Sequence, residues 1–137
     1  MYGQESILDQ LNVVEDEMNE TKLNLIAGDW VSGEAEIENR NPSDLSDLVG
    51  MFTQASTAQL EATLDCARVA QIEWAAFGPE RKQAVLMNIG TELMARAEEL
   101  GGLLSREEGK PLAEGKGEVY RAGQFFTYYA AETLRQI

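Results

Sequence analysis

Residues 105–135 read SREEGKPLAEGKGEVYRAGQFFTYYAAETLR, and the fold turns on how this stretch is read. Arg106, Glu107 and Glu108 close one helical run. Gly109 follows where a left-handed cap is needed, a conformation that glycine adopts without steric cost. Pro111 suits the first position of a new helix, where its missing N–H would have had no intrahelical partner. Leu112, Val119, Gly123, Phe126, Ala130 and Leu134 then recur at steps of 3, 4 or 7, the apolar stripe of a long amphipathic helix. Gly115, Gly117 and Gly123 lie inside that helix. Each costs about 1 kcal/mol relative to alanine, so the pattern predicts close approach of another backbone at these three positions.

Upstream of it the apolar period changes once. Before Ser56 it is near 2. In KLNLIAGDWVSG (22–33) a Gly28-Asp29 turn predicts a hairpin. A strand over 34–41 follows, then an Asn41-Pro42-Ser43-Asp44 turn and a third extended run, LVGMFTQA, at 48–55. From Ser56 the period is 3.6. Ser56 with Gln59 makes a capping-box signature, in which each side chain satisfies an otherwise unpaired amide. Leu60, Leu64, Ala67, Ala70, Trp74 and Phe77 mark an expected buried face, Gly78 ends that helix and Pro79 starts the next. Leu86, Ile89, Leu93, Ala97 and Leu100 continue the pattern, with a kink expected near Arg96. The expectation is three strands followed by about four helices. Met1 to Thr21 carries six acids and no base. Ile7, Leu8, Leu11, Val14 and Met18 fit either a short amphipathic helix or an acidic tail, since isolated helices this short are marginal. At the other end the chain stops inside a helical pattern with no capping residue, which reads as the end of a segment rather than of a domain.

Composition narrows the function. A chain of 137 residues sets one domain as the starting expectation. Net charge of −13 argues against nucleic acid and anionic membranes, both of which require positive charge on the protein. No apolar run reaches the roughly 18 residues of a membrane span, and the acidic start does not resemble a secretion signal. One cysteine allows no internal disulfide, which points to a reducing, cytoplasmic setting. There is no histidine, so the commonest general base and transition-metal ligand is missing.

The remaining candidates for chemistry are few. Gly115-x-Gly117 lacks the third glycine of a dinucleotide fingerprint, because Tyr120 holds that place. Gly109-Lys110 lacks a phosphate loop's other residues, Leu104 and Pro111 standing where glycine and serine or threonine belong. Cys66, on a helix with no activating histidine, reads as a small buried hydrophobe. Phe125, Phe126, Tyr128 and Tyr129 could stack bases, but at this charge and spacing they read as core or helix contacts. Glu107 and Glu108 sit at a helix C-terminus, where the dipole prefers cations, so they are either surface charge or partners of a bound cation. The residues alone thus describe an acidic domain of strands and helices without a visible catalyst.

The ordered set of segments resembles the start of the aldehyde dehydrogenase superfamily: NLIAGDWVSG (24–33), NRNPSD (39–44), LVGMFTQAS (48–56), WAAFGPERKQAVL (74–86) and LSREEGKPLAEGKGEVYRAGQFFTYYAAETLR (104–135). The wording GEVYRAGQFF is most similar to members that oxidise semialdehydes of dicarboxylic acids, such as 2-oxoglutarate semialdehyde. The resemblance implies an α/β fold. Residues 1–21 would be an acidic extension, and 22–137 the incomplete front of an NAD(P)-binding domain. It also implies that the nucleophilic cysteine, the catalytic glutamate and the phosphate-binding turn lie later in the family's sequence. No catalytic or cofactor-binding residue is then expected within these 137, and the segment alone would be inactive. The complete enzyme would use NAD or NADP, take an aldehyde as substrate and assemble as a homo-oligomer. One family feature can be placed here. It is a monovalent cation held by the backbone oxygens of Asn39 and Arg40 and by Glu107, with a direct Arg40–Glu107 ion pair as the competing outcome. A free-standing, non-catalytic acidic interaction domain is the alternative for the whole chain.

Overall fold

The computed structural model describes residues 21–135, so the helix-or-tail question at residues 1–20 lies outside the described residues. Strands come first. β1 (Asn24–Ile26) and β2 (Asp29–Val31) form an antiparallel hairpin. Its turn is Ala27-Gly28, both at positive φ (54° and 95°), which matches the right-handed twist of the two arms. The turn therefore falls one residue earlier than the expected Gly28-Asp29, because Asp29 already pairs with Ile26. β3 (Ala35–Arg40) and β4 (Leu48–Gln54) form a second antiparallel pair, with a register irregularity between Asn39 and Arg40. The backbone of Lys22 lies parallel to β4, its N–H donating to the Met51 carbonyl and its carbonyl accepting from the Thr53 N–H. Among the described residues there are four strands rather than three, since each hairpin arm is a strand of its own.

Four helices follow among the described residues. α1 (Thr57–Ala76) begins at the expected capping box: the Gln59 N–H donates to Ser56 Oγ and the Ser56 N–H donates to Gln59 Oε1. α2 (Pro79–Ala95) starts with proline at its first turn. At Arg96 the backbone leaves helical geometry (φ −99°, ψ 18°), so the expected kink is a break between α2 and α3 (Ala97–Glu108). Gly109 closes α3 at φ 69°, a left-handed cap. α4 (Leu112–Glu132) starts one residue later than expected, because Pro111 remains extended (ψ 138°) and precedes the helix.

α4 packs on both α2 and α3, and glycine sets the distance. A Cβ placed on Gly123 would lie 2.7 Å from the Gly90 carbonyl oxygen and 2.5 Å from Met94 Cγ. One on Gly115 would lie 2.5 Å from the Gly101 carbonyl oxygen and would also overlap Ser105 Oγ. The partners are glycines in turn: a Cβ on Gly90 would meet the Gly123 carbonyl at 2.7 Å, and one on Gly101 the Lys116 backbone at 2.5 Å. The expected close approach thus holds at Gly115 and Gly123. It fails at Gly117, where a Cβ would meet nothing within 4 Å, because that position lies on the far side of the helix. Among the described residues the buried hydrophobic core is Val119 and Ala130, both on α4.

α1 departs from expectation. None of its residues is buried; Leu60, Leu64 and Trp74 are well exposed, and Phe77 beyond its end is half-buried. An apolar stripe tells which face seeks a partner but not that the partner is present. No other described element packs substantially on this helix. Its links are local, including Gln59 Nε2 to the Ser32 carbonyl and the Arg81 guanidinium over the Phe77 ring at 3.4 Å.

The two kinds of helical glycine should respond oppositely to alanine. Gly123→Ala must push α2 away from α4 and should destabilise the chain by about 1–3 kcal/mol. Gly117→Ala, on an open helical position, should stabilise it by about 0.5–1 kcal/mol. Urea unfolding of the two variants beside the parent chain measures both.

Candidate functional site

The end of α3, the Gly109 cap and the 41–47 loop meet in one joint, beside an open cavity of about 420 Å³ lined by Asn41, Ser43, Ser105, Arg106, Gly109 and Lys110. The loop is stiffened from within. Asn41 Oδ1 accepts from the Ser43 N–H, Asp44 Oδ1 accepts from the Ser46 N–H and hydroxyl, and the Asn41 N–H donates to the Asp47 carbonyl. These side-chain-to-backbone turns are what Asn, Asp and Ser do between regular elements. Across the gap, Ser43 Oγ donates to the Gly109 carbonyl at 2.9 Å.

Two neighbouring residues of α3 then reach the strands. Arg106 forms a forked pair with Asp47, Nε to Oδ2 at 2.9 Å and Nη2 to Oδ1 at 2.5 Å, and Nη2 also donates to the Leu48 carbonyl. Glu107 Oε1 accepts from Asn39 Nδ2 at 2.9 Å. Arg40 does not reach Glu107. Its Nε donates to Glu38 at 2.7 Å and its Nη1 to the Leu45 carbonyl, so the expected Arg40–Glu107 alternative is overturned. The reason is local: Glu38 lies two residues back on the same strand face, within easier reach than the helix. Of the three candidate cation ligands, the structure therefore brings Asn39 and Glu107 into contact and turns the Arg40 side chain elsewhere. Carboxylate and carbonyl oxygens suit a hard cation, and the amide donor on Glu107 is its direct competitor.

Glu108, the other acid at this helix end, is held by Lys110 at 2.5 Å, and Lys110 also binds Glu118 at 2.7 Å. Hydrogen bonds to Glu108 first and to Glu118 next hold the Lys110 ammonium above its usual pKa. The Arg106–Asp47 pair was not legible in the sequence. A cation in the last turn of a helix is expected from the dipole, but nothing in spacing ties position 106 to position 47.

The other sequence candidates fall elsewhere. Gly115 and Gly117 lie within α4, not at a strand-to-helix turn. Cys66 is exposed rather than buried, in an open groove between α1 and the hairpin tip that Ala27, Gly28, Thr63, Val69 and Ala70 also line. Of the aromatic cluster only Phe126 is half-buried. Phe125, Tyr128 and Tyr129 are exposed by 57%, 59% and 60%, so the expected core role fails for these three. No helix among the described residues is long and apolar enough to cross a membrane.

Comparison with known proteins defines the class. A profile of the aldehyde dehydrogenase family matches residues 30–137, and the chain belongs to that family. It is 35% identical over 118 residues to the alpha-ketoglutarate semialdehyde dehydrogenase of Haloferax volcanii, covering 84% of this chain and 24% of that protein. It is 34% identical over 110 residues to 1-pyrroline-5-carboxylate dehydrogenase 2 of Bacillus subtilis, covering 80% and 21%. A Thermus 1-pyrroline-5-carboxylate dehydrogenase solved with bound NAD superposes with a TM-score of 0.77 at 29% identity, over 98% of this chain and 27% of that one. The chain thus spans roughly a quarter of the length of the relatives it matches. The mixed α/β fold, with short antiparallel strands ahead of four helices, is the one expected from sequence.

The joint should show itself in acid. The Asp47 carboxyl is lowered from 3.8 to about 2, first by the hydrogen bond from Arg106 and then by that from Asn41. A folded-state value below the unfolded one means that the stabilisation is complete above the ordinary carboxylate range and is lost as pH falls through about 2. Asp47→Asn should therefore lower the urea midpoint at neutral pH. It should also flatten the decline that the parent chain shows between about pH 4 and pH 2.

Proposed function

We propose that this chain is the N-terminal segment of an NAD(P)-dependent aldehyde dehydrogenase that oxidises the semialdehyde of a dicarboxylic acid, with 2-oxoglutarate semialdehyde as the favoured substrate class. The observation that carries this reading is the run of similarity from residue 30 to 137 to a family whose matched members include semialdehyde dehydrogenases from several bacteria and an archaeon. Residues 1–21 are read as an acidic extension and 22–137 as the front of the cofactor-binding domain. The complete enzyme is read as a cytoplasmic homo-oligomer. When bound, NAD(P)+ takes the hydride lost by the aldehyde carbon. This segment's part is scaffolding: α4 seated on α2 and α3, with the strands fastened to the end of α3. The exposed face of α1 is left for the remainder of the protein. The complete enzyme should form NAD(P)H when given succinate or 2-oxoglutarate semialdehyde, and residues 1–137 alone should form none. Turnover by the isolated segment, abolished by a substitution within it, would overturn the scaffolding role.

A monovalent cation at the joint is the second part of the proposal. Support for it is the contact between Glu107 and Asn39 and the position of that carboxylate at a helix C-terminus, where a bound cation reverses an unfavourable interaction. Backbone oxygens of Asn39 and Arg40 would complete the site once the Asn39 amide releases Glu107. Adding potassium or sodium to the complete enzyme at constant ionic strength should then raise its unfolding midpoint by a few degrees, and Glu107→Gln should abolish the rise. A flat response in the parent enzyme means that the amide–carboxylate contact alone holds the joint.

A further inference from the structure

We draw no further inference here: the strongest candidate, the open groove between α1 and the hairpin tip that Ala27, Gly28, Cys66, Val69 and Ala70 line, is an unpartnered apolar face with a lone cysteine, and nothing in the structure shows what covers it.

Discussion

The structure depends on how closely α4 can lie against α2 and α3. At Gly123 with Gly90, and at Gly115 with Gly101, the helices approach until a carbonyl oxygen occupies the space where a side chain would be. Backbone contact of this kind replaces interdigitated large side chains, which is consistent with a core among the described residues of only Val119 and Ala130. Dispersion between tightly apposed helices is individually weak and collectively large, but it fixes distance more than it buries area. The consequence is a helical layer that is well defined internally and still apolar on its outer surfaces.

The second constraint is the joint at the end of α3. Three adjacent features of one helix terminus act on the strands: Arg106 grips Asp47 and the Leu48 carbonyl, Glu107 meets Asn39, and the Gly109 carbonyl accepts from Ser43. The left-handed turn at Gly109 makes this compatible with the onward path into α4. A Cβ there would also press on Pro42 at 2.8 Å, so the cap and the loop constrain each other. Arg106 is favourably placed against the helix dipole, whereas Glu107 is not. The Asn39 amide is what the structure supplies to hold it.

These two constraints give the family assignment its physical content. The chain covers roughly a quarter of its relatives' length, and it keeps large apolar side chains exposed. α1 presents Leu60, Leu64, Val69 and Ile72 outward, and α4 presents Phe125 and Tyr128. Faces of this kind in a natural chain mark places that something else contacts.

Much of the local structure was determined by the sequence alone. The Ser56–Gln59 capping box, proline at the start of α2, the break at Arg96 and the left-handed Gly109 follow from residue types whose conformational preferences are decided within a few positions. The family resemblance marked Glu107 and the backbone oxygens of Asn39 and Arg40 as candidate cation ligands, while the contact found comes from the Asn39 side-chain amide; Gly115 and Gly123 were marked as contact points through their misfit in a helix. Tertiary structure decided what periodicity cannot carry. Gly117 resembled its two neighbours yet faces open space, because one face of α4 is packed and the other is not. The stripe on α1 and the rings at Phe125, Tyr128 and Tyr129 had the spacing of core and are exposed. Arg106 with Asp47, and Arg40 turned to Glu38 rather than to Glu107, depended on which charges the folded backbone brings within reach. Local preference acts over one or two turns of chain, whereas burial and long-range pairing are set by which surfaces meet.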